Sequence, residues 1–184
     1  MERLDPRTRT DTYGRRINRA HSPTLAYSVP ILSIMLGSMV PILFVASAVP
    51  FVPPLGFLIL MAWRIVRPGL LPVWAGLPLG AFDDLFSGQP FGSAMLLWSI
   101  AMIGMEIIEV RFPWRSFVQD WLTIALATAL YLIAMMVVSG GPPGPAMALG
   151  LVPQFLLSVL LFPVIARQVA RLDRLRLMRF WTVG

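Results

Sequence analysis

Apolar residues run in long blocks along this chain, not in the half-polar stripes of helices that wrap a soluble core. An apolar helix needs about 20 residues to cross roughly 30 Å of hydrocarbon. Residues 25–48, 91–110, 121–138 and 146–166 supply four such blocks. Between the first two lies a proline-rich stretch interrupted by Arg64 and Arg67, which divides into two shorter apolar pieces, residues 51–65 and 69–82. These pieces form either one re-entrant hairpin or two crossings. A hairpin would hold both arginines near the bilayer centre, at about 2.5–3.5 kcal/mol each on insertion scales. Two crossings leave them at a membrane face. The pattern therefore predicts an all-α polytopic membrane protein, a six-helix bundle over residues 25–166. An Arg-rich segment (1–24) precedes it, low in apolar content and expected to be disordered when free, and an amphipathic Arg-rich tail (167–184) follows.

The basic residues orient that bundle. All fifteen are arginine. They fall before the first span, between spans two and three (Arg64, Arg67), between spans four and five (Arg111, Arg115) and after span six. With six crossings every one lies on a single side, which the positive-inside bias makes cytoplasmic, with both termini inside. Trp63, Trp114, Trp121 and Trp181 fall near the same ends, where amphipathic rings sit at headgroup level; Trp98 lies inside a span and reads as a packing residue. "ASA" at Ala46 to Ala48 has the small residues of a signal-cleavage site, but the apolar run before it is longer than a usual signal core.

Composition agrees: 57% of residues are hydrophobic and 13% charged, against about 25% charged in a soluble domain. A pI near 11.2 would suggest nucleic acid for a soluble chain. Here retained cytoplasmic arginines explain it, and no nucleic-acid partner is expected. The absence of cysteine and the single His21 leave no expected metal site or cofactor. In the tail, Arg167, Arg171 and Arg174 share a helix face beside Val169, Leu172 and Leu175, an arrangement suited either to anionic lipid or to topology retention alone.

Lipid tails are as apolar as leucine, so helices associate through small residues and polar contacts. Gly76 and Gly80 form such a pair in "GLPLG", Gly37 lies on a face with Ser33 and Pro41, and Gln154 with Gly150 and Ser158. Gln154 is expected to point at another helix, since a lipid-facing amide would leave its hydrogen bonds unmade. Prolines 41, 72, 78 and 163 are expected to kink or break helices. Glu106 and Glu109, one turn apart, are expected either to pair with Arg64, Arg67, Arg111 or Arg115 or to bind a partner.

One pair of charges fits this scheme poorly. Asp83 and Asp84 stand at the outer end of span three, away from every arginine and near a helix C-terminus, where the macrodipole is unfavourable. Asp84 continues the Gly76–Gly80 face and should point to the packed side; Asp83, about 100° round the helix, should be wetter. Pro90 fits the first helical position of span four, whose free N–H groups are natural donors for a carboxylate, as are Ser87, Gln89 and Ser93. The pair reads as solvated capping residues, as a docking point for a basic group of another protein, or as a substrate or ion site. Catalysis finds no support, because that face has no second acidic cluster for Mg²⁺ and no Ser/His pair. A non-enzymatic protein is expected.

Residues 67–98, "RPGLLPVWAGLPLGAFDDLFSGQPFGSAMLLW", resemble the central signature of the MreD family, bacterial rod-shape-determining membrane proteins. The matching features are the Gly76–Gly80 region, the acid at Asp83 or Asp84, Gly88, and Gly92 opening the next helix. Chain length, six apolar segments and a short proline-rich second span match as well. The likeness extends over about residues 25–170, while its specific part is some thirty residues, and the long Arg-rich leader departs from the family's usual short N-terminus. The resemblance implies a scaffold of the cell-elongation complex in the bacterial inner membrane. It would work with MreC, RodA, a class B penicillin-binding protein and the MreB filament, and Asp83, Asp84, Gly88 and Gly92 are the candidate partner-binding residues. It also implies a bundle similar to the substrate-binding components of energy-coupling-factor transporters. A vitamin-type solute-binding subunit is accordingly the alternative function.

Overall fold

A computed structural model describes residues 23–45, 52–112, 116–140 and 145–176. The Arg-rich leader to residue 22 with His21, the Ala46 to Ala48 site, Trp114, Arg115 and the tail beyond Arg176 lie outside the described residues. Among these described residues six helices follow in order: α1 (Pro23–Val45), α2 (Leu55–Val66), α3 (Gly76–Phe86), α4 (Ser93–Arg111), α5 (Phe117–Val138) and α6 (Pro145–Arg176), with a 3₁₀ turn at Val73–Ala75 before α3. No strand occurs among the described residues.

Local chemistry explains several boundaries. Ser116 and Gln119 form a capping box at the start of α5, each side chain accepting the other's backbone N–H. The third helix is shorter than the expected 69–82. Gly69, with φ of 78°, turns the chain after α2, and α-helix begins only at Gly76, leaving eleven residues. Pro90 is not the first helical residue of α4; Gly92 caps that helix in the left-handed region, with φ of 96°.

Pro30 and Pro41 lie inside α1, and Pro153 and Pro163 inside α6. Pro163 has no N–H to give the carbonyl four residues earlier. That carbonyl, of Val159, accepts the Trp121 indole N–H at 3.0 Å instead. A residue of α5 thus satisfies the backbone group that the proline leaves open in α6.

The helices alternate in direction. Pro41, Val52, Gly56, Asp83, Ser139 and Gln154 meet around one cavity, which gathers the end of α1, the start of α2, the ends of α3 and α5 and the early part of α6. At the opposite end, Arg64 of α2 meets Glu106 and Glu109 of α4, and Arg67 meets Asp173 of α6. Gln154 and Asp173 are about 28 Å apart along α6 at helical rise, close to the thickness of a hydrocarbon slab.

The surface is inverted relative to a soluble bundle. Leu96, Ile100, Ile103, Ile107 and Val110 are exposed along α4, and Leu122, Leu126, Leu130, Ile133 and Val137 along α5. These three- and four-residue steps are one helix face each, and contiguous apolar surface of this extent is not left in water. The stretches Ser93–Arg111, Phe117–Val138 and Gly150–Leu175 are long and apolar enough to cross a membrane; Tyr27–Ile42 and Leu55–Val66 are apolar but shorter.

Inside, Phe57 stacks on Tyr131 with centroids 4.5 Å apart and tilts against Trp98 at 6.2 Å, uniting α2, α5 and α4. Trp63 is not an interfacial ring: it is fully buried and donates to the Ser33 hydroxyl at 2.9 Å. α6 continues unbroken past residue 167, with Val169 and Asp173 buried against the bundle.

Candidate functional site

At the arginine-bearing end, Arg64 stands at the end of α2 that the sequence places at a membrane face. It is only 1% exposed. Its guanidinium bonds Glu106, both oxygens of Glu109 (2.6 and 3.2 Å) and the Leu71 carbonyl (3.1 Å). The planar fork of arginine suits such multiple acceptors. The cluster fastens the α2–α3 turn to the end of α4. Arg67, half-exposed, donates to Asp173 at 2.8 Å. Arg167, Arg171 and Arg174 are exposed on α6, and Arg171 reaches Gln168 at 3.3 Å.

The other end holds both aspartates, and both are buried, at 8% and 5% exposure for Asp83 and Asp84. Solvated loop carboxylates they are not. Asp84 accepts the backbone N–H groups of Gly92 (2.9 Å), Ala94 (2.8 Å) and Met95 (3.2 Å) and the Ser93 hydroxyl (3.2 Å). Gly92 has no side chain with which to cap its own helix, so Asp84 caps α4 from α3. The negative charge also meets the positive end of the α4 dipole.

The glycines permit that approach. A Cβ on Gly80 would stand 2.6 Å from the Ala94 carbonyl oxygen, and one on Gly76 2.8 Å from that of Trp98. Gly37 of α1 meets the backbone of Gly56 in α2 in the same manner, at 3.2 Å. Gly88 and Gly92 differ: a Cβ there would meet nothing within 4 Å, but both have positive φ. Backbone conformation is enough to require glycine at these two positions.

Asp83 does not share Asp84's donors. It is the less enclosed of the two, as its place on the helix predicts, and points to a cavity of about 350 Å³ also bordered by Ser87, Gln89, Tyr131, Ser139 and Gln154. The Ser38 hydroxyl of α1 faces it. Gln154 does not bond another helix as expected; it donates at 2.8 Å to the Val52 carbonyl in the extended stretch before α2, whose backbone group has no helical partner, and so fixes the entry to α2. The Ser87 hydroxyl and the Gln89 carbonyl oxygen are buried without a protein partner. Ser38, Gly56 and Tyr131 were not singled out in the sequence. Gly56 could have been found as the small-residue counterpart of Gly37, whereas nothing local marks Ser38 or Tyr131.

Among the described residues Asp83 and Asp84 are the sole charged side chains at this end, and no group of three or more His, Cys, Asp or Glu could hold a metal. The structure thus brings the two aspartates, Gly88, Gly92 and Gln154 to one end and the arginines to the other.

Three long apolar helices and lipid-type surface stripes fit a helical membrane protein. No protein-family model, curated protein or solved structure matches the chain.

Proposed function

We propose that this chain is a non-enzymatic scaffold of the cell-elongation complex, crossing the bacterial inner membrane six times with both termini in the cytoplasm. Its partners on this reading are MreC, RodA, a class B penicillin-binding protein and, on the cytoplasmic side, the MreB filament. The supporting observation concerns the stretch with the MreD-like signature, residues 67–98. It folds as one closely packed unit, with Gly76 and Gly80 against the backbone of α4 and Asp84 capping that helix. Such a unit gives a rigid face on which a single-span partner can seat without ordering cost. Depletion in a rod-shaped host is expected to round the cells, with rod form restored by the plasmid-borne gene. Depleted cells that stay rod-shaped would exclude the assignment.

The cavity beside Asp83 favours a second reading, a solute-binding membrane subunit of a vitamin-type transporter, since a pocket of about 350 Å³ lies in the range that holds small molecules. Protein purified in mild detergent would then carry a tightly held solute visible by mass spectrometry.

A further inference from the structure

We propose that the Asp83 cavity binds a single organic cation, an ammonium or guanidinium group on a short apolar stem. Three observations converge. Asp83 is buried at the cavity wall with the Ser38 hydroxyl facing it, and a carboxylate withdrawn from water needs a compensating charge that a hydroxyl does not supply. Among the described residues no arginine is positioned to supply one: Arg64 and Arg67 lie at the far end of α2, Arg111 at the far end of α4, and Arg167, Arg171 and Arg174 at the far end of α6. The remaining polar atoms at the wall that lack protein partners are acceptors or hydroxyls, the Gln89 carbonyl oxygen and the Ser87 hydroxyl, so the site offers bonds to a donor-rich guest.

The rest of the wall sets the guest's shape. Pro41, Leu132, Met135 and Leu151 are apolar and match an aliphatic stem, with methionine able to adjust to its width. An anion would meet Asp83 with like charge, and a hydrated metal ion would find one carboxylate where hard cations need several oxygens. Asp84 is not available to the guest, because the start of α4 takes up both its oxygens.

Two sources carry such a group, a free organic amine and the arginine or lysine side chain of a neighbouring polypeptide. The inference holds under either functional reading above and depends on neither; failure of the cell-shape test would leave the binding result untouched.

The test uses the full chain in lipid nanodiscs, with n-butylguanidinium chloride as probe and n-butanol as its uncharged match. Wild type is expected to show a saturable rise in melting temperature with the cation and none with the alcohol. Asp83→Asn keeps the side chain's size and removes the charge; it is expected to retain its helical spectrum and to bind the probe at least about tenfold more weakly, the loss of one charge-assisted bond. Met136→Trp, at the cavity wall, leaves Asp83 in place and is expected to exclude the probe by volume. Native mass spectrometry distinguishes the sources. A free amine appears as an adduct on wild type that Asp83→Asn lacks, while a borrowed side chain leaves adduct-free wild type that binds the probe. Equal shifts in wild type and Asp83→Asn, or no shift in adduct-free wild type, would overturn the proposal and leave Asp83 as an acid that merely holds a proton.

Discussion

Asp84 and Ala94 are joined by a 2.8 Å hydrogen bond from the Ala94 backbone N–H to the Asp84 carboxylate, across the turn that links α3 to α4. With the bonds from Gly92, Met95 and the Ser93 hydroxyl, this contact turns the acid from an oddity into the start of the next helix.

Asp84→Ala should therefore weaken the fold. It leaves three backbone N–H groups of α4 without acceptors where water is scarce. At about 1–3 kcal/mol for an unsatisfied buried donor, and with partial relaxation, a loss of about 3 kcal/mol is expected. Asp84→Asn keeps one carbonyl oxygen and should lose roughly half as much. Unfolding in mixed micelles measures both. Any loss of partner binding by Asp84→Ala is expected to follow the loss of helicity, unlike that of Asp83→Asn.

Gly80→Ala should force α3 and α4 apart, because its methyl would stand 2.6 Å from the Ala94 carbonyl oxygen. Overpacking of this kind costs about 1–3 kcal/mol. Gly104→Ala in α4 is the matched comparison: its methyl meets nothing within 4 Å, and helix propensity alone predicts a gain of up to about 1 kcal/mol. Melting temperatures moving in opposite directions would verify the contrast. A neutral Gly80→Ala would mean that the two backbones are not in contact.

Arg64→Met should be among the most damaging substitutions at the arginine-bearing end. It removes the cation that Glu106 and Glu109 share; Glu106 is half-exposed and can turn to water, while Glu109 is mostly covered, so a loss of about 1–3 kcal/mol is expected. Adding Glu106→Gln and Glu109→Gln should recover much of that, since the uncompensated charges disappear. Arg67→Ala takes the cation from Asp173, which is buried against the bundle although Arg67 is half-exposed, and should cost about 1–3 kcal/mol. A triple variant no more stable than Arg64→Met alone would refute the account of the cluster.

Orientation can be read by labelling, because the chain has no cysteine. Phe91 and Phe112 are exposed at opposite ends of α4. In spheroplasts, Phe91→Cys should react with an impermeant maleimide, and Phe112→Cys only after the membrane is opened. The reverse pattern would invert the proposed topology.

The local reading reached Asp84 and stopped short of Asp83 for a physical reason. A four-residue repeat fixes direction on one helix, so the step from Gly76 through Gly80 to Asp84 already aimed that carboxylate at the packed side. The burial of Asp83 depends on Ser38 in α1 and Tyr131 in α5, about forty-five residues away on either side in the chain, and no short-range pattern encodes such neighbours. Arg64 shows the same limit. That Glu106 and Glu109 would meet one of four arginines was legible from charge; that it is Arg64, and that Arg64 is withdrawn from water, was not, since both depend on how α2 is covered by the rest of the bundle.

Hydrophobic block length and the placement of arginines determined, without any structure, that this is an all-helical chain built from apolar segments with its basic residues gathered between alternate pairs. Those properties follow from transfer energies, which add residue by residue. Only the tertiary structure decided that α3 begins at Gly76, that Asp84 rather than Asp83 caps α4 from a buried position, that Arg64 is buried and that Asp83 faces a cavity. Each of these depends on contacts between segments far apart in sequence, where close backbone approach and shared hydrogen bonds, rather than the hydropathy of any one segment, determine the outcome.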